Sequence, residues 1–496
     1  MIQEIPQKIH AGPNKYSFWL DIALLLLLIV YILSGISIVP FHGDESTYIV
    51  MSEDYSKIVK QHDFKRVLFN PDGNSKQYLR LSTGGILTMS IGFAREITNN
   101  NDPIKKWLWG TTWAENITQG NMPRARLLQL ARGCSALMGA LSVVFLLLSA
   151  YQLSPSRLVA WCTVLLFATH GDILVNIRRA MQEGPKFLFL LLTLYIAFLV
   201  LKDFQFLGKR RHLYVFLGIA SGLTLAAKQD TAPMLVAIYI ALALIPIWKK
   251  ETVQTIIVNF LYLGAATSLA YAFFLAFMPV FWGWWETTIA LIGFAIILFQ
   301  LPLLKTKRIL WILVFTGWVL IISMIIRSPN LWQQFSTPLT SMIQARQAIL
   351  GGQITIVSDP ITAQNRLHFL LSNIFRSKVM YMESSSFDVQ PFHEQIAIYE
   401  DSFLSGRTGS PYWDGFIAIW AVLGGWSLIR KFRAESFLIY SLLVICSVML
   451  FAMIPLLWQR YFLIMQIPYS LIAGVGMGEA WAWGTRLAKQ TISRQS

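Results

Sequence analysis

Two adjacent carboxylates, Asp44 and Glu45, lie in a short polar stretch, Gly43-Asp44-Glu45-Ser46-Thr47-Tyr48, just after an apolar run from Ile22 to Pro40. A run of that length can cross the roughly 30 Å hydrocarbon core of a bilayer. The acidic pair is therefore expected at the membrane edge, where water and lipid head groups meet. A carboxylate there can take a proton from a water-soluble substrate while a lipid-borne partner lies alongside. That arrangement suits group transfer better than transport.

Other charges are expected at the same edge: Arg124, Arg126 and Arg132; Asp172, Arg178, Arg179 and Glu183; Lys228 and Asp230; Glu286; Asp414; and Arg460. The apolar centres carry almost none. No acidic or basic residue interrupts Phe187 to Leu201, Thr231 to Trp248, Ile309 to Ile326 or Phe437 to Trp458. A charge at mid-bilayer costs at least about 2.5 kcal/mol. Ion-coupled transporters accept that cost because their sites lie near the midplane. This pattern argues against a transporter or flippase, and carboxylates mixed with arginines suit a reaction with an anionic lipid-linked donor.

The elements that must position these groups follow from composition. Of 496 residues, 55% are hydrophobic and 14% charged, against about 25% charged in soluble proteins. The chain reads as an all-α polytopic membrane protein. About twelve spans are expected: 20–40, 128–150, 157–172, 186–201, 213–227, 231–248, 253–278, 286–304, 309–326, 412–429, 436–457 and 461–482. The first is expected to remain as a signal anchor. The net charge of +15 is dispersed over short loops, among them Lys209-Arg210-Arg211, Lys249-Lys250 and Lys305 to Arg308. That dispersal points to membrane topology and not to nucleic acid. By the positive-inside rule both termini are cytoplasmic and the protein is expected in the plasma (inner) membrane. Two long segments, 41–127 and 327–411, then face outward. The first contains an apolar stretch, Leu81 to Ala94, too short to span and expected as a juxtamembrane helix. The second could form a small cap. The chain thus divides into an N-terminal module 1–326, the 327–411 segment and C-terminal helices 412–496. Cys134, Cys162 and Cys446 all lie in apolar segments, which gives neither a disulfide framework nor a thiolate metal site.

Four short motifs, in order along the chain, resemble one family. They are Gly43-Asp44-Glu45-Ser46-Thr47-Tyr48, Arg178-Arg179-Ala180-Met181-Gln182-Glu183, Gly222-Leu223 through Lys228, and Arg460-Tyr461 with Pro468. They resemble the C-type glycosyltransferases, and within them the branch of protein O-mannosyltransferases and the lipid A aminoarabinose transferase. Branch members often carry Pro-Pro-Leu before the juxtamembrane helix. Here Lys76-Gln77-Tyr78-Leu79-Arg80-Leu81 stands instead, and the mannosyltransferases' extra soluble module has no counterpart.

The resemblance implies the C-type glycosyltransferase fold, with juxtamembrane helices in the two outer loops. It also implies inverting transfer of a sugar from a polyprenyl-phosphate carrier to a lipid, glycan or protein acceptor on the outer side. Ligation of whole lipid-linked glycans is the competing activity. In that frame Asp44 is the candidate general base, or else a cap of the following helix. Glu45 orients Asp44, binds a metal or faces solvent. Glu183 is the candidate second acid, with Asp172 as competitor and an ion pair with Arg179 as the bland reading. Lys76, Arg80, Arg178, Arg179, Lys228, Arg460 and Tyr461 are the candidates for donor binding, arginine gripping phosphate bidentately and lysine as a point charge. His42 could join a metal site with the acids or simply hydrogen-bond. No nucleotide is needed, and a divalent metal ion stays open. Phe281-Trp282-Gly283-Trp284-Trp285 reads as an interfacial anchor, and Asn116-Ile117-Thr118 as a chance sequon.

Overall fold

The computed structural model describes residues 15–70, 76–100, 102–202, 211–303, 331–354, 362–375, 378–382, 387–407, 409–431, 433–453 and 456–495. Among these residues all regular elements are helical, and an isolated bridge between His170 and Arg407 is the sole β contact. Hydrocarbon offers backbone groups no water, so apolar runs satisfy them within helices. The N-terminal elements are α1 (Lys15–Ser34), α2 (Gly43–Met51), α3 (Glu53–Val59), α4 (Lys76–Ser82), α5 (Gly85–Ile97), α6 (Trp113–Thr118), α7 (Ala125–Leu153), α8 (Arg157–Ala168), α9 (Gly171–Arg178) and α10 (Glu183–Lys202). After them come α11 (His212–Ala227), α12 (Ala232–Trp248), α13 (Val253–Ala276) and α14 (Trp285–Gln300). The rest are α15 (Leu331–Ile354), α16 (Ala363–Phe375), α17 (Gln390–Glu400), α18 (Pro411–Arg430), α19 (Ala434–Met453) and α20 (Gln466–Gln495).

Seven described helices are long and apolar enough to cross a membrane, and three shorter apolar ones, Phe18–Ser34, Arg157–Ala168 and His212–Ala227, pack among them. The protein is an integral membrane protein. Fewer spans are found than the twelve expected, for identifiable reasons. The expected span 309–326 lies outside the described residues. The last one starts late, at Gln466, and runs on into a polar end with Arg486 and Lys489. The stretch 157–172 breaks at Thr169-His170, so Asp172 belongs to a separate short helix, α9. Leu81 to Ala94 is likewise interrupted, with α4 ending at Ser82 and α5 starting at Gly85.

The bundle pairs α7 with α10, α11 with α13, α13 with α14, α12 with α19, and both α8 and α18 with α20. Two close approaches set the site's floor. A Cβ on Gly184 would lie 2.0 Å from the Ser135 carbonyl oxygen, so α10 begins hard against α7. A Cβ on Gly84 would lie 1.9 Å from the Ala227 carbonyl oxygen, and the Gln182 amide donates to the Gly84 carbonyl at 3.1 Å. The entry to α5 is thereby pinned beside the C-terminus of α11.

Both long inter-span segments, 41–127 and 327–411, are tied to this bundle. Trp107, Trp113, Phe41, Phe387 and Phe392 form one buried aromatic cluster joining the first segment to the second. Trp107 N–H donates to Ser46 Oγ at 2.8 Å, which fixes that cluster to α2. The second segment contributes α15, α16 and α17, and α15 packs against α4.

Candidate active site

Helix α2 begins in a reciprocal cap. His42 Nδ1 accepts the Asp44 N–H at 3.1 Å, and Glu45 Oε1 accepts the His42 N–H at 2.9 Å. Asp44 is not the cap; His42 and Glu45 are. Glu45 is fully buried and bound on every side. Arg132 of α7 grips it bidentately, Nε to Oε2 at 2.8 Å and Nη2 to Oε1 at 2.9 Å, and the Ala180 N–H donates to Oε2 at 2.9 Å. Burial alone would push its carboxyl up. Arg132, the Ala180 N–H and the Arg179 charge instead hold it below the usual glutamate range. Glu45 neither faces solvent nor orients Asp44 by contact; it locks α2 onto α7.

Successive helical residues point about 100° apart, so Asp44 faces elsewhere. Its Oδ2 accepts from Arg460 Nη1 at 2.7 Å. Arg460 comes from a 3-10 turn, Gln459–Tyr461, more than four hundred residues along the chain. Next to it lies a second charged group. Lys228, in an extended break after α11, bonds Glu183 and lies 3.3 Å from Asp230. Lys186, one turn after Glu183, sits 3.9 Å from Glu183 and 3.3 Å from Asp230. It also donates to the Arg460 carbonyl at 3.5 Å, which joins the two groups. Burial opposes the charge on Lys228, but Asp230 and Glu183 more than offset it and hold the ammonium above the usual lysine range. The Tyr48 phenol, pushed up by burial, feels the charges of Asp44, Lys228, Glu183 and Arg460.

Tyr461 is the hub. Lys228, Arg346 and Arg460 lie 5.9, 5.5 and 5.9 Å from its ring centroid. Arg346, from α15 of the second long segment, also donates to the Tyr461 hydroxyl at 2.6 Å. Among the described residues no carboxylate pairs with Arg346. Four cations (Lys186, Lys228, Arg346, Arg460) thus share this cluster with three carboxylates (Asp44, Glu183, Asp230), leaving an excess of positive charge.

Several expected residues lie elsewhere. Arg80 binds Asp54 bidentately at 2.6 and 2.8 Å, so its fork is already filled by a protein carboxylate. Lys76 starts α4, but its side chain lies outside the described residues. Arg178 and Arg179 are buried and spend their donors on backbone. Arg178 bonds the carbonyls of Tyr31, Ile32 and Leu404 and the Tyr399 hydroxyl; Arg179 bonds the carbonyls of Pro40 and Tyr381. They strap the two long segments to the bundle, away from the cluster around Tyr461. Asp172 accepts from the Gln459 amide, which also takes the Met380 N–H at 2.6 Å and donates to the Lys378 carbonyl at 2.7 Å. Burial, with Asp414 adding to it, pushes Asp172 well above the usual carboxylate range despite the Met380 N–H. It anchors the turn that carries Arg460. His42 serves as the helix cap, and no group of three metal-ligating side chains occurs among the described residues.

Sequence reasoning did not assign Lys186, Asp230 or Arg346. The i, i+3 spacing of Glu183 and Lys186 was the available signal for the first. Arg346 carried none.

Residues 107–297 match the family model described as dolichyl-phosphate-mannose-protein mannosyltransferase. No curated protein sequence matches the chain. Among solved structures, the apo oligosaccharyltransferase of Archaeoglobus fulgidus is similar over 97% of this chain and 53% of its own, at 12% identity and a TM-score of 0.50. The fold is that of the C-type glycosyltransferases. This chain spans about half the length of that archaeal enzyme. The protein O-mannosyltransferase complex of S. cerevisiae, bound to its sugar donor, aligns over 56% of this chain and 35% of its own, with 15% identity and a TM-score of 0.39. The undecaprenyl-phosphate-bound ArnT of Cupriavidus metallidurans aligns over 96% and 80%, with 11% identity and a TM-score of 0.33.

Proposed function

We propose that this chain is a glycosyltransferase that moves a sugar from a polyprenyl-phosphate carrier to an acceptor at the outer membrane face. The observation that carries the proposal is the partly buried Asp44 carboxylate held on Arg460, beside a cluster in which cations outnumber carboxylates. Asp44 takes the acceptor's hydroxyl proton as that oxygen attacks the anomeric carbon. The bond from that carbon to the carrier phosphate breaks on the opposite face, which inverts the configuration. Charge grows on the departing phosphate. Arg460, Lys228 and Arg346 stabilise it, and preorganised cations in a partly desolvated site do this well. Glu183 and Asp230 hold the two lysines in place. Tyr461 spaces the cations, and the neutral Tyr48 hydroxyl can donate to a substrate oxygen. The conserved charge balance of the step requires no nucleotide.

The test is turnover of labelled polyprenyl-phosphate sugar by purified protein. A positioned general base contributes about 10² to 10⁴-fold, and Asp44→Asn should lose that much turnover while still binding donor. Donor turnover that survives the substitution defeats the base assignment. Movement of labelled carrier between leaflets with no sugar released defeats the transferase reading.

A further inference from the structure

Far from the acidic cluster, at the other end of α11, a cavity of about 200 Å³ opens between the start of α11 and the end of α14. Arg211, His212, Val215, Ile296, Phe299 and Gln300 line it. The sixteen residues of α11 separate it from Lys228 by about 24 Å at 1.5 Å per residue. A liquid water occupies about 30 Å³, so the space suits something larger.

Two polar groups here are buried without a protein partner among the described residues: Arg211 Nη1 and the Tyr262 hydroxyl. They lie within electrostatic reach of one another. Tyr262 packs between Tyr214, with ring centroids 5.3 Å apart, and the lining residue Phe299, at 5.6 Å. Its neighbour Tyr214 is differently served, since that hydroxyl donates to Asn259 at 2.7 Å. Leaving a buried donor unmet costs about 1–3 kcal/mol, and more for a charged one. An unmet guanidinium N–H on the cavity wall and an unmet phenol hydroxyl packed behind Phe299 would both be satisfied by an anionic oxygen cluster. No carboxylate supplies one among the described residues. Arg211 also belongs to the basic run Lys209-Arg210-Arg211. The remaining walls, Val215, Ile296 and Phe299, are apolar, and neighbouring Phe216 and Ile257 are exposed on the bundle surface. Cation above and greasy wall below matches a molecule with a phosphate at one end and acyl chains at the other.

We propose that this cavity binds the phosphate head group of an anionic phospholipid, in the leaflet opposite the acidic cluster. Arg211 grips the phosphate, the Tyr262 hydroxyl donates to a second phosphate oxygen, and the acyl chains run along α14. The site is independent of the transfer reaction.

The test uses full-length protein in phosphatidylcholine nanodiscs, titrated with phosphatidylglycerol, with bound lipid counted by native mass spectrometry and apparent Tm followed in parallel. Phosphatidylglycerol should bind and raise Tm. Arg211→Gln should weaken that binding at least about tenfold, the loss of a charge-assisted bond. Arg211→Lys should keep part of it, and Tyr262→Phe should weaken it severalfold. The proposal is overturned if phosphatidylglycerol behaves like phosphatidylcholine, or if Arg211→Gln binds it as the parent does. It is equally overturned if inorganic phosphate alone gives the same rise in Tm, which would make the site one for the free anion. Should Arg211→Gln fail to fold, Tyr262→Phe decides by itself, since unchanged affinity there sinks the proposal.

Discussion

The two members of the acidic pair should fail in different ways, and Glu45→Gln is the sharper probe. Glu45 is 0% exposed and Arg132 only 3%. Glutamine keeps an acceptor for the Ala180 N–H but leaves Arg132 without its counter-charge. Breaking a buried pair from one side typically costs about 3–5 kcal/mol. Unfolding entropy of about 2.1 cal/mol/K per residue, over 496 residues, converts that to a Tm drop of about 3–5 °C. The assay is intrinsic fluorescence on heating at a fixed scan rate, run beside donor turnover per folded molecule. A double variant, Glu45→Gln with Arg132→Gln, should recover part of the loss, because no buried charge is then stranded. The pH dependence carries a sign. A glutamate held below its usual range contributes stability above its unfolded pKa, and loses it as pH falls through the folded value. The parent should therefore be steady from neutral pH to about 5 and weaken below about 4.5, while Glu45→Gln lacks that acid limb. If Glu45→Gln melts like the parent yet loses turnover, Glu45 acts in the chemistry and the assignment as a structural lock is refuted.

Arg346→Gln should raise the donor KM about tenfold, the worth of one charge-assisted bond, with kcat changed less; unchanged KM in a steady-state titration would remove Arg346 from the donor site. Asp172→Asn should cost little stability, because burial pushes that carboxyl toward its protonated form. A raised carboxyl pKa means that the parent loses stability as pH rises through the folded value. Asp172→Asn should flatten that slope, which begins at the unfolded value of about 4, in a Tm-against-pH series, and an identical slope in both proteins would refute the raised pKa.

Much of the architecture could be read from residues alone, because membrane spans announce themselves by length and apolarity. The paired acids at the end of the first run, and the remote Arg460-Tyr461, could be read too. The division of labour between Asp44 and Glu45 could not. Neighbours on a helix face different surroundings, and only the position of Arg132 and Ala180 decides which is locked away. Arg178 and Arg179 misled for a related reason. Arginines near a site suggest phosphate, whereas these two satisfy backbone carbonyls brought from residues 31, 32, 40, 381 and 404. Arg80 was mistaken because its partner, Asp54, lies on another helix and no short spacing linked them. Arg346 sits in a segment of mixed composition, where nothing short of the packing of α15 points it at Tyr461.

The arginine straps also limit how this protein can be re-engineered. Exchanging the 327–411 segment for one from another protein would leave both guanidinium groups short of an acceptor, since the oxygens they use at Tyr381 and Leu404 travel with the insert. A viable chimera must carry main-chain oxygens to those same points, so shape at the graft junction matters more than its side chains.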